Sequence, residues 1–379
     1  MIPAFENYKV LLLINGISIG FTALGFDWVY GVYEEYVYIT VRQIIVQIFT
    51  IVVMFIFVHD MSDIYLWASL LVLSSTGANI FNCINARKYI DFRVDGFRSL
   101  NIKPHIKPIL ILFATQLAAK VYLNIDSVLL GIQSTDHHVG LYSAAVKLNT
   151  ILITCFTAMT PVFVPRIVEA IKKSNKEEYI KLLKSIITLI LMFALPAVVG
   201  MEMIGGELIK LIAGPAFSEA VTTIRILAPI ILITSLANIV YYNILVPNGK
   251  ERIVLMCTML GAFINLLISI LLIPIYHENG AAIGSIVSEF IALSIATLYA
   301  VKLDRSLLKS IPRINSYVFG AISIMLWCLL IKNIFNNYIV VILLGIAGSS
   351  FFYFGVLWLT KNEAVYEVAN LVKTKLKKS

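Results

Sequence analysis

Apolar residues run through this chain in eleven long stretches, at approximately 8–26, 38–58, 63–85, 108–132, 139–163, 184–204, 220–246, 253–274, 280–301, 314–332 and 338–360, with polar gaps between them. Most are close to the ~20 residues that a helix rising ~1.5 Å per residue needs to cross a ~30 Å hydrocarbon core. Inside hydrocarbon every backbone amide and carbonyl must be satisfied within its own segment, so an isolated apolar stretch of this length crosses as a helix. The pattern predicts an all-α polytopic membrane protein with eleven transmembrane helices. Composition agrees, since 59% of the residues are hydrophobic, 14% are charged and the mean hydropathy is +0.89. Those values lie far from a soluble domain.

Cations change the picture by giving the helices a direction. The odd-numbered gaps hold Arg42, then Arg87, Lys88, Arg93, Arg98, Lys103 and Lys107, then Arg166, Lys172, Lys173, Lys176, Lys181 and Lys184. Lys250 and Arg252 follow in the seventh gap, Lys302, Arg305, Lys309 and Arg313 in the ninth, and five lysines in the tail, whereas the other side receives only Lys9, Lys210 and Lys332. Short cation-rich loops stay on the cytoplasmic side, so the odd gaps and the C-terminus are expected on the cytoplasmic side. The net charge of +8 then reflects sidedness and not a nucleic-acid footprint. The same count places the N-terminus outside, yet residues 1–9 carry no export signal. This leads to the expectation of an odd number of helices upstream; the alternative is that the first stretch inserts unaided.

Candidate chemistry is sparse. The four cysteines, Cys83, Cys155, Cys257 and Cys328, sit singly in apolar stretches, without disulfide or metal spacing. No nucleotide-binding Gly-Lys-Ser/Thr loop, nucleophile elbow or zincin motif occurs, and the outer gaps are too short for a catalytic domain, so the chain is expected not to be an enzyme and to carry no cofactor. His137-His138 reads either as a proton-sensitive pair or, more simply, as solvated loop histidines. Residues 165–183, with Ile167, Val168, Ile171, Tyr179, Leu182 and Leu183 among lysines, read as a basic amphipathic connector at headgroup level or as a topology anchor. Pro161, Pro196, Pro229 and Pro274 mark bends that neighbouring helices must re-satisfy.

Charges inside apolar stretches cost about 2.5–3.5 kcal/mol each at the bilayer centre on insertion scales, so each asks for an explanation. They are Lys120, Asp126, Lys147, Arg225 and Glu289, with Glu202 near an outer end. In the fifth stretch Ser143, Lys147, Thr150, Thr154, Thr157 and Pro161 fall within an arc of roughly 80°. Gln116, Lys120, Asn124 and Ser127 share an arc of the fourth, and Asn15, Ser18, Thr22 and Gly25 one side of the first. Hydroxyl stripes alone would read as interhelical hydrogen bonding. A lysine in the middle of each of two stripes points instead to a solvated cavity with a cationic lining, which suits an anionic cargo such as a pyrophosphate. Asp126 and Glu289 suit proton or sodium coupling, or pairing with a lysine or arginine; Glu289 shares a face with Ala281, Ser285, Ala292 and Ala296, which favours a packed, partnered carboxylate.

One ordered series of segments adds a family. Asp27-Trp28-Val29-Tyr30-Gly31 through Glu34-Glu35-Tyr36 and Arg42 opens it, followed by Tyr122-Leu123-Asn124-Ile125-Asp126 and Val139-Gly140-Leu141-Tyr142-Ser143 with Lys147. Pro165-Arg166, Pro196-Ala197-Val198-Val199-Gly200, Pro247-Asn248-Gly249 and Gly280-Ala281-Ala282 with Glu289 continue it. The series resembles the Wzx-type flippases of polysaccharide repeat units in the MATE-like superfamily, and it departs from their pattern at Val29-Tyr30, where a leucine or phenylalanine with glutamine is usual. The resemblance implies a two-lobe bundle of fourteen helices, of which eleven are present here, the absent three falling at the front. It divides the chain into 1–86 (second half of the N-lobe), 87–107 (inter-lobe linker), 108–301 (C-lobe) and 302–379 (a trailing helix pair and basic tail). It implies flipping of undecaprenyl-pyrophosphate-linked oligosaccharide, with Lys120, Lys147 and Arg225, supported by Gln116, Asn124, Thr150 and Thr154, attracting the anionic cargo. Arg42 and Arg166 would stand near the cytoplasmic mouth. Partners would be membrane lipid, the lipid-linked oligosaccharide, and a polysaccharide polymerase with its chain-length regulator. The alternatives are a cation-coupled drug exporter of the same superfamily, which would favour an acidic lining, and a membrane polymerase or acyltransferase.

Overall fold

A computed structural model describes residues 8–23, 25–26, 29–30, 33, 35–89, 103, 106, 109–110, 113 and 124–362. Gln116 and Lys120, most of the third gap and the basic tail after Asn362 lie outside the described residues. The described residues are helical throughout, with no strand among them, and eight of the helices are long and apolar enough to cross a membrane. One of the eight is 53 residues long and reverses on itself, so it supplies two crossings. The chain divides into two compact units, Met1–Ile109 and Leu110–Ser379.

In the first unit, α1 (Lys9–Ala23) packs beside a broken helix made of α3 (Ile64–Val72), a π turn at Leu73–Gly77 and α4 (Ala78–Asn85), while α2 (Tyr36–Phe57) lies along the π turn. The π turn releases carbonyls from the ordinary i→i−4 ladder. Gln43 meets that need by donating its amide to the Ser74 carbonyl at 2.9 Å. Asn79 and Asn82 likewise donate to the carbonyls of Phe21 and Gly25, at 3.1 and 2.6 Å, where α1 ends. The hydroxyl stripe of α1 turns inward on its own backbone: Asn15 donates to Leu11 and Ser18 to Asn15.

The second unit begins with a helical run over 124–133 and continues with α5 (Asp136–Thr157), α6 (Val164–Lys172), α7 (Lys176–Ile212), α8 (Ala220–Leu227), α9 (Ile230–Ile239, extended by a π turn at Val240–Leu245) and α10 (Glu251–Leu303). α11 (Asn315–Ile334) and α12 (Tyr338–Leu359) pack on each other and on α7. One core joins α5 to α10 through Leu141, Ile167, Leu183, Ile186, Ile224 and Ile231; a second joins α7 to the last pair through Met192, Ile204, Tyr317, Ile324 and Tyr353. The connector behaves as an amphipathic segment, since Ile167, Ala170, Tyr179 and Leu183 are buried while Lys172, Lys173 and Lys181 are not.

α10 is a helical hairpin. His277 sits at φ 49°, ψ −126°, and both arms fold back on either side of it. Glycines set how closely the arms approach. A Cβ at Gly280 would stand 2.5 Å from the Leu272 carbonyl, and one at Gly284 would stand 2.5 Å from Ser269 Oγ. Small residues at such crossings let backbones meet where lipid gives no hydrophobic drive to association.

The gaps sort to two ends of the second unit in the alternation that the sequence predicts. At one end His137 pairs with Glu219 at 3.0 Å, His138 with Glu278 at 2.5 Å, and Ser134 reaches His277 at 3.0 Å, which joins the fourth, sixth and eighth gaps. Lys332 of the tenth gap pairs with Glu207 at 3.0 Å. Segments of the odd gaps meet each other as well: Lys176 pairs with Asp304 at 3.0 Å, and Asn248 donates to the Tyr179 hydroxyl at 3.4 Å.

Candidate functional site

The most completely bonded polar centre of the second unit surrounds Asp126. Its helical run packs between α5 and the α10 hairpin, so donors reach the carboxylate from three directions. Tyr142 of α5 donates its hydroxyl to Oδ2 at 2.9 Å, Ser285 of the second hairpin arm donates to Oδ2 at 2.6 Å, Ser269 of the first arm donates to Oδ1 at 2.9 Å, and the Asn265 amide lies 3.1 Å from both oxygens. Asp126, Asn265 and Ser269 are all buried. A buried carboxylate is tolerable only when its lone pairs are filled, and here hydroxyl and amide groups fill them. Of the two expectations for Asp126, pairing with a lysine or arginine gives way to a hub of neutral donors. The arrangement gathers five polar side chains on one point from three segments, with Asp126 accepting from three hydroxyls and one amide.

α5 carries the second feature. Leu141, Tyr142, Ala145, Leu148, Asn149 and Phe156 bury one face against α7, α8, α9 and α10. The opposite face exposes Ser143, Lys147, Thr150 and Thr154, the stripe expected from helical spacing. Lys147 makes no ion pair with any other described residue, so its ammonium is held by neither a carboxylate nor the core. Arg225, on α8, is exposed and within electrostatic reach of Glu202 on α7. Arg166 is exposed on α6, and Asn124 is exposed at the start of the 124–133 run. Glu289 is half-buried on α10.

In the first unit Arg42 is buried to 7% exposure, with its guanidinium over the Tyr38 ring at 5.9 Å. Sequence reasoning placed it in a gap; the helix starts at Tyr36 and draws it one turn inside. The structure thus brings Lys147, Thr150 and Thr154 onto one exposed face and assembles Asp126 with partners that the sequence did not nominate. Tyr142, Asn265 and Ser269 were missed as site residues. Their signal is the residue type, since an Asn and a Ser at i and i+4 mid-helix in an apolar stretch need a polar partner, but nothing in the spacing says which one.

Comparison with known proteins agrees with this architecture. A family described as polysaccharide biosynthesis protein matches residues 6–171. A putative O-antigen transporter of Shigella dysenteriae is 24% identical over 301 residues, covering 78% of this chain and 74% of the relative. A putative O-antigen transporter of Escherichia coli (strain K12) is 23% identical over 318 residues, covering 79% and 72%. Among solved structures, the lipid II flippase MurJ in an inward closed conformation superposes with a TM-score of 0.70 at 13% identity, over 90% of this chain and 72% of that one, which shows a shared fold. The matching family model, the two O-antigen transporters and the shared helical fold agree in likening this chain to proteins of polysaccharide export.

Proposed function

We propose that the protein flips undecaprenyl-pyrophosphate-linked oligosaccharide repeat units from the inner to the outer leaflet of a bacterial cytoplasmic membrane, for surface polysaccharide synthesis. The observation that carries this reading is the exposed face of α5, where Lys147 stands among Ser143, Thr150 and Thr154 opposite a fully packed face. An ammonium there costs free energy in lipid but attracts a pyrophosphate that sheds its water, through charge-assisted hydrogen bonds. Asn124 and Arg225 belong to the cationic and polar lining in this reading, and the sequence resemblance would add Lys120 and Gln116 to it and assign Arg42 and Arg166 to the cytoplasmic entrance. A drug exporter for hydrophobic cations would want carboxylates on that face, and a polymerase or acyltransferase would want catalytic groups.

Asp126 supplies the coupling. A carboxylate ringed by the hydroxyls of Tyr142, Ser269 and Ser285 and the amide of Asn265 can hold a proton or a sodium ion, and either would change how tightly the hairpin arms are tied to the 124–133 run. Glu289 is the second coupling candidate. The polymerase and its chain-length regulator would take the product at the outer surface, and the C-terminus lies in the cytoplasm.

The reading is tested in cells depending on this protein for surface polysaccharide. Lys147→Ala should lower export about tenfold or more, the size of one charged hydrogen bond, with unchanged membrane abundance. Repeat units should accumulate in the inner leaflet, shown by their inaccessibility to an impermeant glycosidase. Accumulation in the outer leaflet would mark a polymerization defect, and normal export in the variant would remove Lys147 from the site.

A further inference from the structure

Four tyrosines converge on one end of the first unit, where the first and third gaps meet. Tyr30 stacks on Tyr38 with ring centroids 5.1 Å apart, Tyr89 stands edge-on to Tyr30 at 5.7 Å, and Tyr33 lies against Tyr89 at 4.6 Å. Packing alone explains Tyr30, which is fully buried and donates its hydroxyl to the Asn82 carbonyl at 3.0 Å. It does not explain Tyr33, which is 54% exposed. Nor does it explain the charges that border the rings. The Tyr89 hydroxyl donates to Glu35 at 2.9 Å, Lys88 holds its ammonium 5.1 Å from the Tyr89 ring, and Arg42 holds its guanidinium over Tyr38.

A groove of about 550 Å³ opens from this cluster along α2. Glu35 and Tyr38 border its first turn, Arg42 lies one turn deeper, and Val41, Ile45, Val46 and Phe81 form the apolar remainder. At ~1.5 Å per residue, Tyr38, Arg42 and Val46 follow one another at intervals of ~6 Å along the helix axis. Three chemistries therefore stand in series: aromatic faces with a carboxylate, then a guanidinium, then an apolar trough.

We propose that this end of the first unit is a reception site for the lipid-linked saccharide, with the sugar nearest the lipid on the exposed Tyr33 face, the pyrophosphate at Arg42, and the polyprenyl chain in the groove beside Ile45 and Phe81. The proposal rests on the flippase reading and specifies where its substrate first docks. Each group meets its own physical partner. The flat C–H face of a pyranose packs on an aromatic ring while its hydroxyls bond to the Glu35 carboxylate, a guanidinium forks onto phosphate oxygens, and an isoprenoid tail buries against aliphatic side chains. An ordinary phospholipid satisfies only the last two.

The test measures binding and needs no translocation. The full chain in phosphatidylethanolamine nanodiscs is titrated with farnesyl pyrophosphoryl N-acetylglucosamine, farnesyl pyrophosphate and phosphatidylglycerol. The sugar-bearing probe should bind about fivefold more tightly than farnesyl pyrophosphate, the range expected of one stacking contact with its hydrogen bonds. Tyr33→Leu, at an exposed position that folding does not need, should abolish that preference and leave farnesyl pyrophosphate binding intact. Arg42→Gln should weaken both pyrophosphates about tenfold, with Arg42→Lys recovering part of the loss. A preference that survives Tyr33→Leu overturns the sugar platform. Displacement of all probes by an equal concentration of phosphatidylglycerol overturns the site as a whole and leaves a lipid groove. Failure of the wild type to bind either pyrophosphate overturns the flippase reading itself.

Discussion

Ser285 Oγ stands 2.6 Å from Asp126 Oδ2, so a hydroxyl on the second arm of the α10 hairpin closes onto a carboxylate 159 residues earlier in the chain. The hub has two separable properties, its hydrogen bonds and its charge. Asp126→Leu removes the acceptor from four donors, and each buried donor left unmet costs about 1–3 kcal/mol. The expected result is a loss of about 3 kcal/mol or more, seen as low membrane abundance and early thermal unfolding. Asp126→Asn keeps an acceptor and similar volume. That variant should fold while losing any dependence of export on external pH or sodium, and retained dependence would move the coupling role to Glu289.

The hairpin depends on the absence of a side chain at Gly280. A Cβ there would meet the Leu272 backbone at 2.5 Å, and backbone cannot step aside as a side-chain tip can. Gly280→Ala should therefore destabilise the protein by about 1–3 kcal/mol, the usual cost of overpacking. Gly200→Ala, on α7, meets nothing within 4 Å and should be neutral or slightly stabilising. Thermal melts of both variants in detergent check the contrast, and equal melting temperatures would mean the arms can separate without loss.

Most of this architecture is legible in the sequence because hydrocarbon imposes it. A span must be long and apolar, and so the stretches at 253–274 and 280–301 mark two crossings, with the reversal at His277 falling in the short gap between them. The Lys147 stripe is legible for the same reason, since helical periodicity sorts Ser143, Thr150 and Thr154 onto one side whatever the partners. What stays hidden is pairing between spans. Asn265 and Ser269 show only that the eighth stretch needs a polar partner, and Asp126 shows only that the fourth does. The close crossing at Gly284 brings them together, and that is a matter of three-dimensional packing. His138 was equally unreadable: the sequence suggested a solvated loop, but burial of Glu278 on the hairpin turn gives it a partner.

The two adjacent histidines should therefore differ. His138 bonds Glu278 at 2.5 Å with side-chain exposures of 23% and 8%, whereas His137 bonds Glu219 at 3.0 Å with 58% and 69%. A double-mutant cycle of His138→Ala with Glu278→Gln should give a coupling energy of about 1–3 kcal/mol, because either single change strands a buried partner. The cycle of His137→Ala with Glu219→Gln should give about 0–0.5 kcal/mol, as solvent screens the exposed pair. Equal couplings would show that the hairpin turn is not anchored through His138.

At the opposite end of the second unit, Asp304 ties the end of α10 to the start of α7 through Lys176 at 3.0 Å and caps Ser306 through its amide at 2.9 Å. Burial pushes the Asp304 carboxyl up, but the hydrogen bonds from Ser306 and the bond and charge of Lys176 outweigh it, and the net pKa falls below the ordinary 3.8. A carboxyl depressed in the folded state binds its proton less readily than in the unfolded chain. Its contribution is thus fully present above about pH 4 and is lost as pH falls through the folded value. Because Asp304 is about a third exposed, screening limits the contribution to roughly 1 kcal/mol or less. Asp304→Asn should lower the melting temperature modestly and equally at pH 7 and pH 5, and the gap from wild type should narrow at pH 3.5. A gap that stays constant down to pH 3 would assign the whole effect to the shape of the Ser306 turn and none to the ion pair.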